Sequence, residues 1–186
     1  MGRKSRNKRG SIDTSRIQVL EERRQKRIGY SIFYIGSFLL IWTMILLLQT
    51  FISTQTLILI LLASVIIGVL CFHLIWRRRN FGAIGTLFFG IFLGMPIPFG
   101  FISTNHYFRS GTSISVTLPL LEAGTRSNRR SSCRTPYAII EFHNIKKQIL
   151  FPCEFEKTIS NYPKLTLEIS NGYWGYSVIT GKRLNK

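Results

Sequence analysis

The sequence predicts a membrane protein of mixed class, a bundle of three transmembrane helices followed by a small all-β domain. Two observations carry this. Three apolar runs, Ile28 to Leu48, Leu57 to Trp76 and Phe81 to Ile102, contain no Asp, Glu, Lys or Arg. A helix rises 1.5 Å per residue, so roughly 20 apolar residues cross a hydrocarbon core about 30 Å thick, and each run has that length. Beyond Ile102 the pattern changes to period-two alternation broken by Gly, Asn and Pro, the mark of half-buried strands. The 186 residues divide into a basic tail (1–27), the transmembrane region (28–102) and a domain (103–186). A domain that small buries only about 60% of its unfolded surface, so it needs a staple, a partner or the membrane.

Charge orients the chain. The net charge is +17. Residues 1–27 hold ten Lys or Arg against Asp13, Glu21 and Glu22, Arg77 to Arg79 follow the second run, and the loop Gln49 to Thr56 is uncharged. Basic residues near span ends stay cytoplasmic, so the tail and the Arg77 to Arg79 loop belong inside. Three crossings then place the C-terminal domain outside the cytoplasm. The first run is longer than a signal-peptide core and is read as an uncleaved anchor.

Residues 1–11 have almost nothing to bury and are expected to be disordered, with a helix starting at Thr14 or Ser15 under a hydroxyl cap. The basic tail sets topology and meets anionic lipid head groups; lacking aromatic side chains to stack on bases, it is not read as a nucleic-acid site. An eight-residue loop makes the first two spans an antiparallel pair, with Gly36, Ser37, Ser64 and Gly68 allowing close approach. Trp76 before three arginines marks the inner end of the second span. His73, the lone histidine of the spans, has no acidic partner there and is read as hydrated or bonded to backbone.

The third span contains Pro96 and Pro98, so its outer third is expected to be kinked or to end there. Gly90 and Gly94 form a GxxxG pair, a candidate close helix contact or dimer face. A broken helix also suits a transport pathway, but no carboxylate lies in any span.

In the C-terminal domain, Ile114, Val116, Leu118 and Leu120 alternate with polar residues, and Pro119 puts that strand at an edge. Residues 122–135 read as an arginine-rich loop. Strands are expected at Tyr137 to Phe142 and Lys147 to Phe151 around a hairpin at His143, with a short helix over Cys153 to Ser160. Two more strands are expected where Leu165, Leu167 and Ile169 alternate and over Tyr173 to Thr180. Asn171-Gly172 between these last two predicts a type I′ turn. About five strands and one helix make a small barrel or sandwich. Cys133 and Cys153 are a candidate disulfide in an oxidising compartment, although two free thiols suit the spacing equally.

The chemistry is sparse. The only Asp is Asp13, and Glu154 with Glu156 reads as a solvated pair. No phosphate-binding glycine loop, serine-nucleophile elbow or metal-ligand spacing is present, so no catalytic residue, metal or cofactor is expected. Two binding candidates remain. Arg126, Arg129, Arg130 and Arg134 could meet an acidic partner, a phosphate head group or an anionic glycan, or simply be a solvated loop. Trp174 and Tyr176 share one face of a hairpin and could offer an aromatic surface or core packing. The reading is a non-catalytic multi-pass protein whose outer domain binds a protein partner, or a second copy, or supports assembly of an envelope complex. The alternative is an accessory subunit of a transporter or channel.

Overall fold

The computed structural model describes residues 6–76, 82–127 and 133–185. Among these, three helical spans are long and apolar enough to cross a membrane: Val19–Leu47, Thr54–Ile75 and Ala83–Tyr107. They belong to α1 (Arg6–Leu47), α2 (Thr54–Ile75), α3 (Ala83–Gly94) and α4 (Pro96–Tyr107). α1 begins well before Thr14, so the helix takes in most of the tail expected to be disordered; residues 1–5 and Arg77 to Arg79 lie outside the described residues. The third span breaks at Met95, as its prolines predict, and the part beyond the break is a second regular helix. Pro96 and Pro98 fall in the first turn of α4, where their missing N–H groups have no intrahelical partner to lose.

The backbone divides into two compact units, residues up to Leu40 with Ala63–Pro96, and Ile41–Leu62 with Ile97 onward. In the first unit, α2 and α3 meet through their small residues. A Cβ on Gly68 would overlap the Gly90 carbonyl oxygen, one on Gly94 would overlap the Ser64 carbonyl oxygen, and one on Gly90 would come within 2.6 Å of Val69. The Gly90/Gly94 pair is thus occupied inside the chain by α2 and is not a free dimer face. On α1, a Cβ at Gly36 would stand 2.8 Å from the Phe92 carbonyl oxygen of α3. Aromatic rings fill the rest: Phe33 stacks on Phe88 with centroids 6.0 Å apart, and Phe72 stacks on Phe89 at 5.5 Å.

The second unit contains, among the described residues, six strands in two antiparallel sheets. One has the order β1 (Ser113–Pro119), β5 (Lys164–Asn171), β6 (Ser177–Asn185); the other has β2 (Glu122–Arg126), β3 (Thr135–Phe142), β4 (Ile145–Leu150). These strands do not close into a barrel. Part of the expected arginine loop is strand β2, paired with β3 from Glu122↔Ile139 to Arg126↔Thr135. The expected single helix is two 3-10 turns, Cys153–Phe155 and Ile159–Asn161. The chain switches sheets at Leu120 and Leu121, whose N–H groups donate to Pro163 and Ile139 respectively. Pro119 ends β1 at an edge, where no ladder donor is needed.

Alternation places the core. Leu165, Leu167 and Ile169 of β5 pack with Ala138 and Ile140 of β3, Ile149 of β4, and Ile159. Phe51, from the uncharged loop between α1 and α2, joins this core at 3% exposure and lies 5.1 Å from the Phe142 ring. Burying such a ring contributes about 1.5–3 kcal/mol.

The type I′ turn that residue type suggests at Asn171-Gly172 occurs instead at the other hairpin. His143 and Asn144 have φ of 50° and 61°, the positive pair a type I′ turn needs, and Phe142 faces Ile145 across it. At Asn171-Gly172 the expected two-residue turn is absent. The loop there is Tyr173-Trp174-Gly175, closed by Gly175 N–H to Gly172 O at 2.9 Å and Gly172 N–H to Tyr176 O at 3.1 Å, with Gly175 at φ 82°. Gly172 is needed for another reason: a Cβ there would overlap the Asn105 side chain.

Candidate functional site

The free edges of the two sheets supply the site. β4 ends one sheet and β6 ends the other, and a cavity of about 290 Å³ is lined by Gln148, Ile149 and Leu150 from β4 and by Ile179, Thr180 and Lys182 from β6. Beside it lies a second cavity of about 450 Å³, lined by Arg126, Thr135, Gln148 and Leu150 among others. Edge strands carry backbone N–H and C=O groups with no ladder partner, so a cavity between two of them is shaped for an extended chain.

One end of the β6 edge is already used in this way. Thr50 forms an antiparallel bridge with Val178. Phe51 N–H donates to Ser177 O at 2.8 Å, and Ile179 N–H donates to Gln49 O at 2.7 Å. The loop between α1 and α2 is therefore a two-bond strand on β6. Ser53 then caps α2, its Oγ accepting from Thr56 N–H at 3.2 Å.

Two lysines control the edges. Lys147 Nζ donates to the carbonyls of Leu47 at 2.9 Å and Thr50 at 2.6 Å, and lies 5.0 Å from the Phe51 ring centroid. It fastens the C-terminal end of α1, where a cation is favoured by the carbonyls left open. Burial lowers its pKa to about 8, while those carbonyls hold the charged form against that cost. Lys182 Nζ donates to Leu150 O, crossing from the β6 edge to the β4 edge, and stands 5.0 Å from the Phe151 ring. Its pKa is also lowered by burial.

Of the four arginines singled out in the sequence, Arg126 lines the larger cavity. Arg134 lies just before β3, and Arg129 and Arg130 lie outside the described residues. Cys133 and Cys153 are joined as a disulfide with Cα atoms 6.1 Å apart, across a sequence separation of 20 residues.

Trp174 and Tyr176 lie in the loop before β6 and both meet Phe101 of α4, while Trp174 stays 50% exposed. Trp174 stacks on Phe101 at 5.5 Å, Tyr176 meets the same ring at 5.8 Å, and the indole N–H donates to Thr104 Oγ1 at 2.8 Å. Asn105 anchors the turn: it is 1% exposed, donates from Nδ2 to Tyr176 O at 3.0 Å, and accepts from Trp174 N–H at 3.0 Å. Around this junction Tyr107, Phe108 and Tyr173 are all at least 60% exposed. Aromatic side chains so placed suit a membrane–water interface, where aromatic belts sit.

Sequence reasoning passed over Phe51, Asn105 and Lys147, which do the fastening. Phe51 and Ile52 were a faint signal, two apolar residues inside a short polar loop. Asn105 and Lys147 gave none, because their partners lie 71 and 100 residues away. Among the described residues no group of three or more His, Cys, Asp or Glu side chains is placed to hold a metal ion.

No protein-family model, curated protein or solved structure matches the chain. The functional reading therefore rests on the residues themselves.

Proposed function

We propose that this is a non-catalytic multi-pass membrane protein whose extracytoplasmic β domain captures an extended segment of a protein partner between β4 and β6, and so supports assembly of a membrane complex. The observation that carries this reading is the bridge at Thr50: the chain already adds a short strand of its own to one end of the β6 edge, and the neighbouring stretch of that edge borders an open cavity. Main-chain pairing supplies affinity in such strand addition, and the pockets for alternate side chains supply selectivity.

The chemistry of the lining selects the partner. Arg126 and Lys182 border the cavities, so the segment should carry a carboxylate beside small or apolar residues. Lys182 on the Leu150 carbonyl blunts the edge against indiscriminate pairing, as edge lysines do. A carboxylate offers that ammonium a better acceptor and frees the Leu150 carbonyl for the incoming strand. The extracytoplasmic placement is supported by the basic residues at the other end of the spans and by the disulfide, a bond that persists in oxidising compartments.

Photo-crosslinking in the native membrane tests the reading. A photoreactive residue at Leu150 or Thr180 should give one discrete adduct, and one at Thr117, on the far strand of the β1 sheet, should give none. Lys182→Glu should weaken the Leu150 adduct by roughly tenfold if an acidic segment is bound, the size of one charge pair at a partly buried site. Equal adducts at all three positions would mean random collision and would sink the proposal.

A further inference from the structure

We propose that the groove between α1, α2 and α3 holds one anionic phospholipid, its phosphate on Lys26 and an acyl chain on a floor of stacked aromatic rings. This inference is independent of the reading of the β domain.

The groove has a volume of about 520 Å³ and is overwhelmingly apolar inside; Gln25 and Lys26 stand at one end. On α1 the lining positions Lys26, Gly29, Tyr30 and Phe33 recur every three or four residues, so they form one stripe along the helix. From Gln25 to Phe33 that stripe is roughly 12 Å long, close to the depth of one leaflet's hydrocarbon. The floor is continuous: the Phe89 ring stacks on Phe72 at 5.5 Å and 10°, and Phe72 stacks on Trp76 at 4.8 Å and 21°. Gly29 leaves room, since even a Cβ there would approach the Phe89 ring only to 3.5 Å.

Inside a bilayer such a groove cannot stay open to water, and the surrounding molecules able to fill it are lipids. The charge at its mouth chooses among them. Lys26 borders the groove, and Arg23, Arg24 and Arg27 are exposed on the same stretch of α1. The Lys26 stem can lie along the ring wall with its ammonium at the head-group level, as long cationic side chains do near span ends. A basic pocket between transmembrane helices selects an anionic head group in this way. The Gln25 amide stands at the same end and Tyr30 lines the groove one turn beyond Lys26, and both side chains carry donors for ester or phosphate oxygens.

Trp76 reports on the site directly. In a Trp42→Phe, Trp174→Phe protein reconstituted with lipids brominated on the acyl chain, Trp76 is the remaining indole and bromine in the groove quenches it. Phosphatidylglycerol should reach half-quenching at about fivefold lower mole fraction than phosphatidylcholine, the effect of one well-placed cation. Lys26→Gln should merge the two curves and Lys26→Arg should keep them apart. The fraction of spin-labelled phosphatidylglycerol immobilised by the unsubstituted protein, compared with Lys26→Gln, checks the same point without touching the tryptophans. Identical curves for the two lipids would mean ordinary boundary lipid and overturn the proposal. So would a preference that survives Lys26→Gln, because it would belong to the diffuse charge of the tail.

Discussion

The helical unit and the β-bearing unit hold together by opposite means. Around α2 and α3 the contacts depend on side chains that are missing: Gly68, Gly90 and Gly94 bring backbones together, and no Cβ fits between them. In the β domain the contacts depend on side chains that are present, the nine buried residues centred on Leu165 and Leu167, with Asn105 and Lys147 as polar fasteners. The difference follows from the solvent. Lipid tails are as apolar as leucine, so a larger side chain gains nothing by leaving lipid for a helix interface, and close fit decides association. For the β domain the solvent is water, so removing apolar area from it drives packing.

If that contrast is right, the β domain should fail when volume is removed and the helical unit when volume is added. The largest effect is expected at Leu167, which is fully buried. Leu167→Ala should lower stability by about 3–5 kcal/mol through the cavity it leaves, read as a shift in the denaturation midpoint in detergent. Gly68→Val adds volume where the Gly90 carbonyl already sits and should cost about 3 kcal/mol from overpacking. The same assay reads it, and a neutral outcome would show that α2 and α3 part easily.

The smallest predicted effect sharpens the role of polar fastening. Lys147→Met leaves the Leu47 and Thr50 carbonyls without their donor and should cost about 1–2 kcal/mol at pH 7. Its pH dependence has a definite sign. Folding lowers the Lys147 pKa from 10.5 to about 8, so between those values the unfolded chain binds more protons than the folded one. The unsubstituted protein should therefore gain stability relative to Lys147→Met as pH rises from 8 towards 10.5, by about 1 kcal/mol after allowance for the water that reaches the ammonium. Parallel curves would show that Lys147 titrates as a solvated lysine.

Much of the fold was legible because it rests on local pattern. Three apolar runs give three spans whatever their neighbours do, and the alternation at Leu165, Leu167 and Ile169 names the buried face of a strand before its partners are known. The misreadings have a shared cause. Met95-Pro96-Ile97-Pro98 does end a helix, as expected, but the residues from Pro96 on were taken as irregular because proline was judged as an interior residue; at the start of the new helix it is harmless. Asn171-Gly172 looked like a type I′ turn because glycine was judged by its backbone freedom, whereas Gly172 answers to the bulk of Asn105. The candidate site was less legible still. Arg126 was visible in a charge cluster, but the cavity it borders is walled by strands β2, β3 and β4 together with Leu48, which no run of residues announces.

The sequence by itself determined that three segments prefer lipid to water and that the remaining C-terminal part builds half-buried strands. Those properties are sums over neighbouring residues, through hydrophobic length and period. Only the tertiary structure decided that the α1–α2 loop becomes a strand on β6, that the Gly90 and Gly94 pair meets Ser64 and Gly68, and that Lys147 closes the end of α1. Each of these pairs groups far apart in the chain, and which of many equivalent polar or small residues meet is fixed by packing in three dimensions, where local preference has no say.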